Sequence, residues 1–509
     1  MKLDVNRPDL TVGVIGTGAM GRGIAQVTAA GGMSVLMTDA RPGAADEAKD
    51  FIAKMLDRAA EKGSMSKEEA AAAVARIKIV DSHRDMRPCH VVIEAIVENL
   101  EAKRALFGEL ETIVTADCIL VSNTSSMSVT TIGAKLKTPQ RFAGFHFFNP
   151  VPLMRLVEVI SGQLTDEAVC DALMGLGRRM TREPVRLTDA PGFLVNQVGR
   201  GFSLEGSHLV YEGVATFADV DRVMRDVGGF RMGPFELMDL TGLDVTQPAS
   251  ALIYNQFFQE PRYRPNLIMQ ARYEAGVLGR KTKKGFYSYD AEMKPTVPME
   301  AAVPAARPES VWLSAVEAQG STKLKEVLVK LGANVEQGAQ PSANALILVT
   351  PIGEDATTAA TSQGLDPKRT VAVDTLFPMV KRRTIMTTPI TDPAYRDAAH
   401  GLFASDGVPV TVCRDSPGFI AQRIVAMIVN IGCSIAQSRT ASPADIDKAV
   451  TLGLNYPNGP FKFGDVLGVQ NIHRVLENMN KIYADPRYRP NIWLTRRAKL
   501  GVSLLTPEP

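Results

Sequence analysis

A short apolar run, Leu10–Ile15, passes without a break into Gly16-x-Gly18-x-x-Gly21 and then into the alanine-rich stretch of "GRGIAQVTAA". Strand, glycine turn and helix in that order admit few folds. Gly16 permits a tight turn, Gly18 lets a pyrophosphate approach the backbone, and Gly21 lets the helix pack on the strand. Ala19 and Met20 complete the turn at the helix start, where unpaired N–H groups and the helix dipole favour a phosphate. A second apolar run, Ser34–Met37, ends at Asp39. That is close to the ~20-residue spacing of the acid that holds a dinucleotide's ribose. A carboxylate there accepts from both ribose hydroxyls and repels a 2′-phosphate, so NAD is favoured over NADP. Arg41 argues the other way, because an arginine nearby can hold the extra phosphate.

Further apolar runs extend the sheet: His90 into Asn99, Cys118 to Ser126, and Arg141 to Phe148. In a doubly wound sheet, ligands sit beyond the carboxyl ends of the strands. Those ends carry Glu98, then Asn123 and Ser125, then His146 and Asn149, with Lys103 and Arg104 on a helical stretch after the first. His146 stands among phenylalanines in "GFHFFNP". A histidine on an apolar strand is more often a satisfied core residue than a catalyst, unless partners tune it. Glu158, twelve residues on in "RLVEVI", supplies one. An unpaired carboxylate in that apolar run is expensive. A buried His–Glu pair removes the cost, fixes the imidazole tautomer and suits a general base.

The ordered set G-T-G-A-M-G-x-G-I-A-Q, N-T-S-S, F-A-G-x-H-F-F-N-P-V and P-G-F-L-V-N resembles the L-3-hydroxyacyl-CoA dehydrogenase family over about residues 10 to 290. The resemblance implies that His146 takes the 3-hydroxyl proton and that Glu158 orients it. Ser125 and Asn196 would hydrogen-bond the substrate oxygens. Asn149, Glu98, Lys103 and Ser125 would surround the nicotinamide half of NAD, and Lys281, in the loop "GRKTKKGF", would reach the cofactor. A solvated basic turn is the plain alternative for Lys281. The substrate implied is an acyl-CoA, with Lys62 or Lys67 in "AEKGSMSKEE" as candidates near the CoA phosphates.

Beyond Thr188 the texture turns helical, and the family's all-helical domain, which closes the acyl-CoA site and makes dimers, is expected there. The chain then repeats itself. "SPGFIAQRI" matches "APGFLVNQV", Ala444–Asp447 matches Ala218–Asp221, and Gly459-Pro460-Phe461 matches Gly233-Pro234-Phe235, all 226 residues apart. Such constancy marks a duplication. The expected order is an α/β Rossmann-like domain (1–187), an all-α domain (188–289), a proline- and alanine-rich linker (290–309), a degenerate Rossmann-like copy (310–410) and a second helical domain (411–509). In the copy, "RTVAVDTLF" is expected to stand where "CILVSNTSS" falls, putting Asp374 and Leu376 for Asn123 and Ser125. "RTIMTTPIT" is expected where "GFHFFNPVP" falls. Gln422 replaces Asn196, and no G-x-G-x-x-G occurs in this half, so one active site per chain follows. The helical copy could give the first half an internal partner, a pseudo-dimer, in place of a homodimer.

Composition bounds the rest. At 509 residues the chain exceeds one core, and a net charge of +2 gives no reason to expect a nucleic-acid or membrane partner. Five scattered cysteines, without C-x-x-C, read as reduced thiols of a soluble cytoplasmic protein. The histidines lack metal-ligand spacing, so no metal is expected. Two other readings use the same motifs: a dehydrogenase of a free hydroxy acid such as a sugar acid, and a nucleotide-binding protein without turnover.

Overall fold

The computed structural model describes residues 3–508. The first part of the chain forms an eight-stranded sheet: β1 (Thr11–Ile15), β2 (Ser34–Thr38), β3 (Ile77–Ile79), β4 (Val91–Glu94), β5 (Ile119–Ser122), β6 (Phe142–Phe147), β7 (Leu156–Ser161) and β8 (Glu183–Thr188). Their order is β3-β2-β1-β4-β5-β6-β7-β8. All neighbours are parallel except β6 and β7. Every residue of β4, β5 and β6 is buried, which explains their unbroken apolar runs. The order reverses between β1 and β4. That leaves a crevice at the carboxyl ends, beside the start of α1 (Ala19–Ala30).

A second sheet runs through Val311–Leu313, Leu346–Val349, Thr370–Val373, Arg383–Thr387 and Val410–Arg414. Its pairings are parallel, parallel, antiparallel, parallel, the same sequence as β4 to β8. The copy therefore lacks counterparts of β1–β3, and the glycine motif went with them.

This topology corrects two expected correspondences. "RTVAVDTLF" is the counterpart of β6, not of "CILVSNTSS", and "RTIMT" is the counterpart of β7, not of "GFHFFNP". The Asp374 N–H donates to the Thr384 carbonyl at 3.0 Å across an antiparallel pair, as His146 stands opposite Glu158. Asp374 thus occupies the place of His146 and Thr384 that of Glu158. Gln422, in the place of Asn196, donates to Asp374 at 2.9 Å. The replacements keep a hydrogen bond and discard the imidazole–carboxylate pair.

Two compact units make up the molecule, and they do not follow the duplication. One comprises residues 1–196 with 438–454, the other residues 197–437 with 455–509. In the first, helix Pro443–Leu454 of the second half lies on β7 and β8: the Thr188 N–H donates to the Thr440 carbonyl at 2.9 Å and Lys448 pairs with Glu183 at 2.8 Å. In the second, helix Phe217–Asp226 of the first half is tied to the second sheet, Arg382 pairing with Asp226 at 2.8 Å and the Arg414 N–H donating to Val214. Each half lends its equivalent helix to the other's sheet.

Inside the second unit, helices Val195–Tyr211 and Ala421–Gln437 approach so closely that a Cβ on Gly201 would lie 3.0 Å from the Ile428 backbone. Beside that crossing, fully buried Glu205 accepts from Arg423, from Arg487 at 2.8 Å and from the Tyr488 hydroxyl at 2.9 Å. Burial opposes charge on Glu205, but Arg487 and Arg423 hold its carboxyl well below the usual carboxylate range. Read at the repeat spacing, the equivalents of Glu205 and Arg423 are Ile431 and Gln197, so this ion pair has no counterpart at the equivalent positions.

Glu205→Gln leaves buried Arg487 without its carboxylate and Arg423 with Glu212 alone, and should cost about 3–5 kcal/mol, read by denaturant unfolding. Asp374 is the opposite case. Burial pushes its carboxyl up to about 6, against hydrogen bonds from Gln422 and Leu376. A raised carboxyl favours the folded state only while protonated, so its contribution is lost as pH rises through about 6. Asp374→Asn should therefore stabilise the protein at pH 8 by roughly 1–3 kcal/mol and leave it unchanged near pH 4.

Candidate active site

The glycine turn has the shape a dinucleotide requires. Gly16 holds a φ of +91°, and a Cβ there would lie 2.5 Å from the Ala95 carbonyl oxygen. A Cβ on Gly21 would lie 1.8 Å from the carbonyl oxygen of Gly16. Gly18 differs: nothing lies within 4 Å of its Cβ position, which leaves open the space a pyrophosphate would fill. At the tip of β2, Asp39 accepts from the Thr17 N–H at 2.6 Å, the Thr17 hydroxyl at 2.8 Å and the Arg41 N–H at 2.9 Å. Partial burial raises the Asp39 carboxyl, but these hydrogen bonds outweigh it and hold the group below its usual value. Arg41 turns away into a two-point pair with Glu47, at 2.6 and 3.1 Å. The guanidinium that could have served a 2′-phosphate is engaged, and the residues present fit NAD.

Beyond β4 and β5, Lys103 on α4 (Leu100–Ile113) is buried between two carboxylates, 2.6 Å from Glu94 and 3.2 Å from Glu98. Glu94 also accepts from the Ser122 hydroxyl at 2.6 Å. Glu98 accepts from the hydroxyls of Thr124 at 2.5 Å and Ser126 at 2.8 Å, and from the Ser125 N–H at 3.3 Å. Burial raises Glu98, but Thr124, Lys103 and Ser126 together keep it ionised below its usual value. The network fixes the turn that exposes Ser125. Asn123 is spent on the scaffold, accepting from the Phe147 N–H at 2.9 Å.

His146 and Glu158 face each other across the antiparallel β6–β7 pair, where opposed residues share one face of the sheet. His146 Nδ1 lies 2.7 Å from Glu158 Oε2. The other carboxylate oxygen accepts from the N–H groups of Leu194 at 3.0 Å and Val195 at 3.1 Å, at the start of helix Val195–Tyr211. Glu158 is completely buried, yet every bond it needs is made. With a carboxylate at Nδ1, that nitrogen carries the proton and Nε2 is left as the acceptor. The ring packs against Phe148 and Phe193, with centroids at 4.5 and 5.7 Å. Phe193 sits at a φ of +51°, but Phe419, its counterpart in the copy, is at +49°, so this strain belongs to the turn and not to the chemistry.

Asn196 stands in the first turn of the helix that Glu158 caps. Asn149 is exposed just past β6, and Lys281, in the other compact unit, pairs with Asp244 at 2.7 Å. The sequence reading missed Glu94, Ser122 and Thr17. Glu94 ends the apolar run "VVIE", and the cost of burying a carboxylate, which singled out Glu158, would have found it. The contacts from Thr440 and Lys448 had no local signal.

A glycine turn shaped for a dinucleotide beside an imidazole held on a carboxylate is an arrangement that can support hydride exchange with a nicotinamide and the movement of a proton. A dinucleotide-dependent dehydrogenase is the class this defines. Residues 11–190 match the NAD-binding domain of 3-hydroxyacyl-CoA dehydrogenase, and residues 192–289 and 418–503 both match that family's C-terminal domain. The chain belongs to the 3-hydroxyacyl-CoA dehydrogenase family and is an NAD-dependent oxidoreductase of 3-hydroxyacyl-CoA. It is 37% identical over 492 residues to 3-hydroxyadipyl-CoA dehydrogenase of Escherichia coli K12, spanning 96% of this chain and 98% of that one. It is 36% identical to 3-hydroxybutyryl-CoA dehydrogenase of Clostridioides difficile over 281 residues, 55% of this chain and all of the other. The crystal structure of 3-hydroxybutyryl-CoA dehydrogenase from E. coli K12 superposes with a TM-score of 0.85 at 35% identity, covering 97% of this chain and 99% of that one.

Asp39→Ser removes the carboxylate that disfavours a 2′-phosphate. The ratio of kcat/KM for NADH to that for NADPH should fall by at least ~10-fold, about 1.4 kcal/mol.

Proposed function

We propose that His146 is the base of this dehydrogenase, with Glu158 as its orienting partner and Ser125 and Asn196 as the donors to the substrate oxygen. NAD, held by these residues, would supply the acceptor for the hydride on C3 of the 3-hydroxyacyl group. His146 Nε2 takes the proton of the 3-hydroxyl as that bond breaks, giving the 3-ketoacyl-CoA. The Glu158 carboxylate stabilises the imidazolium. In the reverse direction the same proton returns to the oxygen. Met20, Ala19 and the three glycines would line the pyrophosphate, Asp39 the ribose, and Asn149, Glu98 and Lys103 the nicotinamide half, while Lys281 is kept as a candidate by the family resemblance alone. The observation that carries this reading is the 2.7 Å contact between His146 and a carboxylate whose second oxygen is already satisfied. A core histidine needs no such partner.

The segments 1–187, 188–289, 290–309, 310–410 and 411–509 are taken as the modules of the duplication, and the two helical modules as an internal pseudo-dimer. The Glu205–Arg423–Arg487 cluster supports that pairing, because it joins residues from both halves. Loss of folding in Glu205→Gln tests it. Five buried free cysteines support a reducing, cytoplasmic location. Among the described residues, no helix is long and apolar enough to cross a membrane. Lys62 and Lys67, exposed at the turn between α2 (Ala44–Glu61) and α3 (Lys67–Ala75), are the candidates for the CoA phosphates.

With acetoacetyl-CoA and NADH, His146→Ala should lower kcat by ~10²–10⁴-fold while the protein stays folded. Activity that survives the substitution would return His146 to the role of a core residue.

A further inference from the structure

The second half has lost the base, its partner and the glycine turn, yet one of its helices lies on the strand that carries Glu158. Helix Pro443–Leu454 buries Ile446, Ala449 and Val450 completely, and it belongs to the same compact unit as β7 and β8. Thr440 and Lys448 anchor it to Thr188 and Glu183. At its far end, Gly453 meets the catalytic strand. A Cβ there would lie 2.8 Å from one methyl of Val195, 2.9 Å from a methyl of Leu156 and 3.2 Å from the second methyl of Val195. Gly453 is within the helix, where glycine is a poor choice and no unusual backbone angle requires it. It is there for space.

The two residues it touches are the neighbours of the dyad. The Val195 N–H donates to Glu158 Oε1 at 3.1 Å, and Val195 directly precedes Asn196. Leu156 is two residues before Glu158 on β7, on the same face. The reciprocal place in the other unit makes the comparison. There, at the repeat spacing, Arg382 replaces Leu156 and Val227 replaces Gly453. Arg382 forms ion pairs with Asp226 at 2.8 Å and Glu300 at 2.9 Å. Where the sheet carries no dyad, the close apolar contact has been given up for ion pairs. Where the dyad is present, the contact is kept.

We propose that the second half acts on the first half's reaction: helix Pro443–Leu454 is a buttress, and Gly453 a positioning residue that sets Glu158 and Asn196 through Val195 and Leu156. This rests on the assignment of His146 and Glu158 as base and partner. Gly453 touches no reacting atom, so its effect should appear in kcat more than in cofactor binding.

The experiment compares the full-length wild type with Gly453→Ala, Gly453→Val and Gly453→Val/Val195→Ala. Turnover of acetoacetyl-CoA with NADH, NADH affinity by fluorescence, the melting temperature and the ring Cε1–H resonance of His146 are read on each. The expected result is a fall in kcat of at least tenfold in Gly453→Val, with a smaller fall in Gly453→Ala. NADH affinity should stay within about twofold, the His146 resonance should move, and the double variant should recover to within about threefold. If Gly453→Val does not fold, the single methyl of Gly453→Ala carries the test.

A folded variant with unchanged kcat and an unmoved His146 resonance overturns the proposal. So does a loss of kcat that Val195→Ala fails to recover, or a drop in melting temperature alone. A wild type that turns over no acyl-CoA would instead overturn the assignment of the dyad's function, and the His146 resonance would still decide whether Gly453 positions the ring.

Discussion

Glu158 is a carboxylate at zero exposure that holds three things at once. One oxygen fixes the imidazole of His146, and the other ties down the first N–H groups of helix Val195–Tyr211. A lone carboxylate in that position would be prohibitively costly. Here its charge is shared between a ring that can become cationic and a helix N-terminus, whose dipole favours an anion. The imidazole of His146, the helix bearing Asn196 and the strand pair β6–β7 are therefore set by one residue. The antiparallel reversal of β7 makes this possible, because it places residue 158 opposite residue 146 on one face.

The copy shows what happens when that constraint is released. Thr384 stands where Glu158 would be and Asp374 where His146 would be, and the Asp374 carboxyl is bonded by Gln422 instead of by its cross-strand neighbour. The strand order from β4 to β8 survives intact, because it is held by backbone pairing and apolar burial that do not depend on the dyad. The strands that would have framed a dinucleotide are gone. Packing persisted where chemistry did not, and an acid left in a dry pocket has its carboxyl raised in consequence.

Duplication also changed how the pieces depend on each other. Each half gives the other its equivalent helix, so neither sheet is completed by its own half alone. The contacts have diverged: an apolar fit around Gly453 beneath the dyad, and an ion-pair set around Arg382 on the other side. The Glu205 cluster has diverged too, with carboxylate and guanidinium on opposite halves and an isoleucine and a glutamine at the equivalent positions. A pairing of unlike halves satisfies those charges. A pairing of two second halves would bury Arg423 against Ile431.

Much of this was legible in the residue order. The strand–glycine–helix unit, Asp39 at its spacing, the His146–Glu158 pair and the 226-residue repeat all follow from local rules: turn conformation, burial cost and periodicity. These features are short-range or declare themselves by an anomaly, such as a charge inside an apolar run. What the sequence misplaced were the correspondences inside the copy. One apolar strand resembles another, and only hydrogen-bonded register distinguishes the counterpart of β6 from that of β5. The engagement of Arg41 by Glu47, the burial of Lys103 between Glu94 and Glu98, and the helix of one half against the strand of the other belong to the tertiary structure. They join residues tens to hundreds of positions apart, or choose among partners the sequence leaves equal, and spacing carries no record of that choice.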